Sequence, residues 1–554
     1  MNPDIKARVA DKLQLLYHSS EALVHIQQLL EDYPIAPRGR PGSHETPILI
    51  AYGDHIQHDG DAPLQILQRF AHEALQGIIG GIHLLPFYPY TSDDGFSVVD
   101  YLAVNPSLGT WSEIELFRGE FRLMFDLVLN HASVSCDWFQ RFLRNEAPYN
   151  DYFVTAAADT NLSAVVRPRT HPLLTPFETA AGTRYVWTTF SADQVDLNFA
   201  NPAVLLEFIR ILLEYVQRGA DYIRLDAVAF LWKTIGTSCI HLPQTHTVIQ
   251  LMRDVLDEAA PWVKLISETN VPHQENLLYF GDGENEAQLV YQFALPPLLL
   301  HTFYTSSART LSVWAAGLNT PSPNTSFFNF TASHDGIGVR PVADILSPAD
   351  IGVLLETVQQ RGGQISYRSN SDGTKSAYEL NITYFDALAE PGEPLAQSVD
   401  RFITSQAIML ALSGLPGIYL PSLFGAANWD AGAAQTGCAR SINREKFELS
   451  RLAEELNTPE SRYAQVFDRY KTLLRVRGAC SAFDWEVPQR ILDLDSAVFA
   501  VERGGLIALH NVSQQIINIR LPDDILRHDL LSDRICQGSA VLHPYQTQWL
   551  ESKE

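Results

Sequence analysis

The sequence predicts an α/β chain: a (β/α)8 TIM barrel with inserted subdomains after strands 3 and 7 and a C-terminal β-domain. Three observations predict it. Eight short apolar runs, at 48–52, 82–85, 123–129, 222–225, 265–267, 289–293, 327–331 and 417–420, alternate with longer segments of helical period, and eight is the count a closed barrel needs. Three carboxylates, Asp226, Glu268 and Asp335, stand at or just beyond the ends of such runs, and the carboxyl ends of parallel strands are where this fold builds its mouth. Two of the intervening intervals are too long to be simple connections.

In order along the chain, Ile5, Val9, Leu13 and Leu16, then Leu23, Ile26, Leu29 and Leu30, recur at helical spacing and predict two helices within 4–33. They form an N-terminal helical extension over 1–45, with 34–46, rich in Pro, Gly and Arg, as its linker. The barrel is expected over 46–480. Its first insertion, 131–196, contains Arg167-Pro168-Arg169 and Pro172-Leu173-Leu174-Thr175-Pro176 without clean periodicity. The second, 336–397, mixes helix with an irregular stretch at 361–374. Both are expected to lie over the mouth, where loops of this fold carry specificity. In 481–554 the apolar alternation of Ala497 to Val501 and Leu506 to Leu509 predicts a compact β-domain.

Composition narrows the function classes. The 554 residues are 46% hydrophobic, enough to bury a large core in more than one domain. Sixty-four acidic against forty basic residues leave a net charge of -24, which disfavours nucleic acid and anionic membrane surfaces as partners. Five scattered cysteines show no zinc-like spacing, so no metal site is expected, and they fit reduced thiols in a cytoplasm. The amino terminus lacks the apolar core of a signal peptide, and no eighteen-residue apolar run follows. A cytoplasmic protein is the expectation, and a homodimer is left open.

The chemistry sits at the strand ends. In Tyr222-Ile223-Arg224-Leu225-Asp226 the alternation puts Arg224 and Asp226 on one face. A guanidinium beside a carboxylate favours the charged form, so Asp226 is expected to stay ionised and act as a nucleophile; a structural Arg–Asp pair closing the strand is the alternative. Glu268 follows apolar Leu265 and Ile266, and a partly desolvated carboxyl has the raised pKa of a general acid, although a helix-capping role suits the isolated segment better. His334-Asp335 runs into Gly336-Ile337-Gly338, a turn that admits close approach of a ligand. Asp126 to His131 places further polar groups at the end of an apolar strand, where they need partners. A pair of carboxylates at one mouth is what cleavage of a glycosidic bond requires.

Together these four segments resemble the sequence signatures of the α-amylase clan. Other segments resemble its sucrose phosphorylase branch: His83-Leu84-Leu85-Pro86-Phe87, Ser92-Asp93-Asp94-Gly95-Phe96, Arg167-Pro168-Arg169, Trp187-Thr188-Thr189-Phe190, Gln194-Val195-Asp196 and Thr331-Ala332-Ser333-His334-Asp335. The resemblance covers most of 47–450. It implies that Asp226 is the nucleophile, Glu268 the acid/base and Asp335 the transition-state stabiliser. It further implies that Asp94, Phe96, His131, Phe190, Gln194, Arg224, His334 and Arg444 line a glucose subsite, with Arg169 and Tyr378 as phosphate contacts. The implied reaction is a retaining phosphorolysis of an α-glucoside that needs no cofactor, its partners being the glucoside and inorganic phosphate.

The acceptor loop departs from that branch. It reads Lys375-Ser376-Ala377-Tyr378-Glu379-Leu380-Asn381: Tyr378 matches, Ser376 and Glu379 replace an acidic residue and a glutamine, and Lys375 adds a cation. A cation there suits an anionic leaving group. With Glu268-Thr269-Asn270-Val271-Pro272-His273 and the helical amino terminus, the chain resembles the glucosylglycerate phosphorylases within the branch. Glucosylglycerol, sucrose and sucrose 6′-phosphate remain as alternative substrates, hydrolysis or transglucosylation as alternative reactions, and a non-catalytic sugar-binding barrel as the alternative class.

Overall fold

A computed structural model describes residues 1–36, 46–370 and 372–553. The eight predicted runs are all strands: β1 (Ile48–Ala51), β2 (Gly81–Leu84), β3 (Arg122–Val128), β4 (Ala220–Asp226), β5 (Lys264–Ser267), β6 (Leu289–Tyr291), β7 (Ser326–Phe330) and β8 (Leu415–Tyr419). They close into one parallel barrel in chain order, β8 pairing with β1. Each is short and buried on both faces, as parallel strands packed under helices must be.

Register decides what meets inside. Arg224 on β4 lies beside Asp126 on β3, and His83 on β2 lies beside Met124 of β3. His83, Asp126 and Arg224 therefore come from three adjacent strands and converge in the barrel interior, each fully buried or nearly so. Three polar groups in an apolar barrel are tolerable only if they satisfy one another. His83 Nε2 lies 2.6 Å from Asp126 Oδ2, and Arg224 Nη1 donates to Asp126 Oδ1.

The two N-terminal helices are α1 (Pro3–Tyr17) and α2 (Ala22–Asp32). Asn2 caps α1 by accepting the Asp4 N–H, and Ile5, Val9, Leu13 and Leu16 form its buried stripe. Burying such side chains contributes about 1.5–3 kcal/mol each, and Arg8 and Lys12 add ion pairs of 2.7 and 2.6 Å to Asp254 on the helix Pro243–Ala259. Most of the expected linker, 37–45, lies outside the described residues.

The chain between β3 and β4 forms a two-stranded ladder, His131–Ser133 with Gln194–Asp196, and a three-stranded antiparallel sheet. Beyond β7, Ile337–Gly338, Lys375–Asn381 and Gln364–Ser369 form a second three-stranded antiparallel sheet, with Lys375–Asn381 in the middle. This corrects the expectation of irregular chain at 361–374: Gln364–Ser369 is a strand, held by its pairing to Lys375–Asn381 rather than by an apolar pattern of its own. From Gln489 onward a six-stranded antiparallel sheet surrounds a second apolar core of Val498, Ala500, Ile507 and Leu509. No helix among the described residues is long and apolar enough to cross a membrane.

Candidate active site

The three carboxylates meet. Asp226 ends β4, Glu268 follows β5 and Asp335 lies beyond β7, and all three line one cavity with Phe96, His131, Arg169, Phe190, Gln194, His334, Tyr378 and Glu379. A larger cavity, about 1090 Å³, opens at the other end of the barrel beside Arg122 and Lys264, the first residues of β3 and β5. Several of its charged groups pair with one another, as Arg253 does with Asp257 at 2.8 Å. Convergent chemistry, not size, selects the smaller one.

Arg224 organises the floor. Its Nη1 donates to Asp226 Oδ1 at 2.8 Å, and its Nη2 stands 4.0 Å from Glu268 Oε2. Ala227, in the left-handed region at φ +49°, turns its N–H onto Glu268 Oε2 at 2.9 Å. One guanidinium thus serves Asp126, Asp226 and Glu268. The expectation that Arg224 favours the charged form of Asp226 meets opposing groups here. Burial pushes the Asp226 carboxyl up, and the charges of Glu268, Asp126 and Asp335 add to it against the pull of Arg224. Burial likewise raises Glu268, with Asp335 acting in the same direction. Two buried carboxyls that both resist ionisation favour sharing a single proton. Arg224 bonds Asp226 directly and stands 4.0 Å from Glu268, a geometry that favours the charge on Asp226.

Asp335 is held in the opposite sense. Burial opposes its ionisation, but Arg440, whose Nη1 lies 2.6 Å from Asp335 Oδ1, outweighs it and keeps the carboxyl well below the usual range. Arg440 also forks onto Glu379, Nη2 to Oε1 at 2.6 Å and Nε to Oε2 at 3.0 Å. It lies in the short 3-10 turn Ala439–Asn443 and was not among the residues the sequence singled out.

One part of the cavity wall is aromatic and neutral. Phe96 stacks on His334 with centroids 4.6 Å apart and planes at 8°. Burial drives the His334 imidazole down to about 3, and it lowers His131 too, so both rings are neutral near pH 7. His131 Nε2 lies 2.9 Å from the Phe96 carbonyl and 3.2 Å from Gln194 Nε2. Phe96 is aimed by a turn in which Asp93, Asp94 and Gly95 all have positive φ, and a Cβ on Gly95 would stand 2.5 Å from the Pro86 carbonyl. Arg444 fastens that turn, with Nη1 2.6 Å from Asp94 Oδ2 and Nε donating to the His334 carbonyl at 2.8 Å. Asp94 and Arg444 therefore stand behind Phe96 and His334 as a braced pair rather than in the cavity lining. Burial pushes the Tyr378 hydroxyl up to about 12, so it remains a donor.

Lys375 is corrected. It is exposed at the start of its strand, across from Ser369, and the cavity lining does not include it. Glu379 does line the cavity, but its carboxylate is occupied by Arg440.

Residues 75–317 match the alpha-amylase catalytic domain family. A glucosylglycerate phosphorylase of Allomeiothermus silvanus is 46% identical over 99% of both chains. The chain belongs to the glucosylglycerate phosphorylase family. A second member, from Spirochaeta thermophila, is 48% identical over 88% of this chain and 84% of its own length. Among solved structures, the sucrose 6F-phosphate phosphorylase from Thermoanaerobacter thermosaccharolyticum superposes with a TM-score of 0.75 at 22% identity, over 90% of this chain and 99% of that one, which supports the fold. Membership in the glucosylglycerate phosphorylase family fits a cavity whose floor holds paired acids.

Arg440→Ala should expose the cost of the Asp335 and Glu379 charges. Removing one partner of a buried pair costs about 3–5 kcal/mol, and two buried carboxylates lose their counterion here. The folded-state pKa of Asp335 is depressed, so its pairing contributes stability above the unfolded value and loses it as pH falls. Denaturant titrations should show the variant well below the parent near neutrality, with the gap narrowing towards about pH 4. A pH-independent gap would contradict the electrostatic account.

Proposed function

We propose that the protein cleaves an α-glucoside with inorganic phosphate by a retaining double displacement, the substrate being 2-O-α-glucosylglycerate and the products α-glucose 1-phosphate and glycerate. The observation that carries this reading is the pairing of Asp226 with Glu268 over Arg224, in a chain 46% identical to a glucosylglycerate phosphorylase along almost its whole length.

Asp226, ionised against Arg224, attacks the anomeric carbon and forms a β-glucosyl ester. Glu268 gives its proton to the glycosidic oxygen as that bond breaks, and glycerate leaves. The ionised Glu268 then takes a proton from hydrogen phosphate, whose oxygen attacks the same carbon from the face the acceptor left. The ester bond breaks, Asp226 regains its charge, and the product keeps the α configuration. Asp335, fixed as a carboxylate by Arg440, balances the positive charge that develops on the sugar ring. Phe96, Phe190, His131, His334 and Gln194 surround the ring with apolar faces and neutral donors, and Arg169 and Tyr378 receive phosphate.

Incubation with phosphate and, separately, glucosylglycerate, glucosylglycerol, sucrose and sucrose 6′-phosphate tests it. Glucose 1-phosphate is expected, fastest from glucosylglycerate. Free glucose without glucose 1-phosphate would mark a hydrolase instead, and no product from any glucoside would leave a binding barrel.

A further inference from the structure

With Lys375 outside the cavity, recognition of an acidic leaving group needs another cation. Three arginines stand around Tyr378, Arg169 in the cavity lining and Arg340 and Arg368 outside it. Tyr378 belongs to the middle strand of the second three-stranded sheet, and each flanking strand brings one of them. On one side Val339 donates its N–H to the Tyr378 carbonyl at 3.0 Å, and Arg340 follows directly. On the other side Arg368 lies across from Ser376, next to a register shift that leaves Tyr378 without a partner of its own. Such shifts re-aim a side chain at a site. From the first inserted region, Arg169 places its guanidinium 5.0 Å from the Tyr378 ring and 5.6 Å from that of Phe190.

These cations are short of anions in a chain with a net charge of -24. The guanidinium of Arg368, half-buried, has no hydrogen bond or ion pair with any described residue. Among the described residues, Arg169 donates only to the neighbouring Pro168 carbonyl, at 3.2 Å. Arg340 has Glu275 at 3.5 Å, but that carboxylate also meets His241 at 3.0 Å. Arg368 is near enough to Arg340 for the like charge to oppose its own, which leaves a repulsion that a bound anion would relieve.

The chain that leads to Arg340 also packs beside the residues that follow Glu268. Gly338, two residues before Arg340, abuts Asn270, two residues after Glu268; a Cβ on Gly338 would meet Asn270 Oδ1 at 2.6 Å. That Asn270 oxygen is buried without a hydrogen-bond partner and lines the cavity. The chain leading to Arg340 thus adjoins the segment that follows Glu268.

We infer that Arg340 and Arg368 form a carboxylate-binding subsite for the acid released from the sugar, separate from the phosphate position at Arg169, and that this pair sets the preference for an anionic acceptor. The inference rests on the phosphorylase reading and deepens it. A carboxylate bridging two guanidiniums gains charge-assisted hydrogen bonds that a neutral alcohol lacks.

The test uses the synthetic direction, from glucose 1-phosphate. Arg368→Ala is expected to raise the KM for glycerate by about ten- to a hundredfold. Glycerol, as a neutral acceptor, should lose little. Exchange of labelled phosphate into glucose 1-phosphate, which forms the glucosyl ester without any acceptor, should stay close to that of the unaltered protein and reports that the fold is intact. Arg368→Lys, which keeps the charge, should recover part of the glycerate affinity. An unchanged KM for glycerate, an equal loss with glycerol, or a parallel fall in phosphate exchange overturns the subsite. So does an unaltered protein that exchanges phosphate but refuses glycerate. If the unaltered protein exchanges no phosphate, the phosphorylase reading itself fails, and the subsite falls with it.

Discussion

Asp226→Asn should stop glucose 1-phosphate formation while leaving the barrel folded. The amide cannot form the glucosyl ester, and removal of a nucleophile from a cooperating set costs roughly 10⁴-fold or more in turnover. The surroundings argue that the fold survives. Arg224 keeps its bond to Asp126 in the variant, and the substitution removes a charge that Glu268, Asp126 and Asp335 all oppose. An unaltered or higher melting temperature with turnover lost is the expected combination. Phosphorolysis at the parent rate by a clean preparation would mean that another group attacks the sugar.

That assignment was open to sequence reading because strand ends are. Each of the eight barrel strands lies within a few residues of its predicted run, since a strand buried on both faces writes itself as a short apolar run between turns. Asp226 and Glu268 could be placed because they close such runs. Arg440 could not. Its partners, Asp335 and Glu379, lie in distant parts of the chain, and the turn that carries it has neither helical nor strand period. An arginine four residues before Arg444 was the only trace in the sequence.

The strand Gln364–Ser369 escaped for a related reason. It is polar and largely half-exposed, so only its partner strand reveals it. Lys375 misled because loop position says nothing about side-chain direction: the bulge beside it turns Tyr378 inward and leaves Lys375 in solvent. The opposition to the Asp226 charge stayed hidden because its strand shows one neighbour, Arg224, whereas the folded site sets three further carboxylates around them.

Glu268→Gln separates proton transfer from ring binding. The amide can keep the Ala227 N–H bond, so the side chain should hold its place. Turnover of glucosylglycerate should fall by about 10²- to 10⁴-fold, the usual worth of a positioned acid/base. The pH dependence carries the sharper sign. Burial raises the pKa of Glu268, so its acid form persists above the ordinary carboxyl range, and kcat/KM for the glucoside should decline as pH rises through that raised value. The variant has no such proton, and its remaining activity should lack that alkaline decline. α-Glucosyl fluoride, whose leaving group needs little protonation, should still release a burst of fluoride from the variant. If fluoride release were lost as fully as phosphorolysis, Glu268 would be holding the sugar rather than moving a proton. A surviving alkaline decline would assign the titration to another group, and the shared-proton account of the Asp226–Glu268 pair would fail with it.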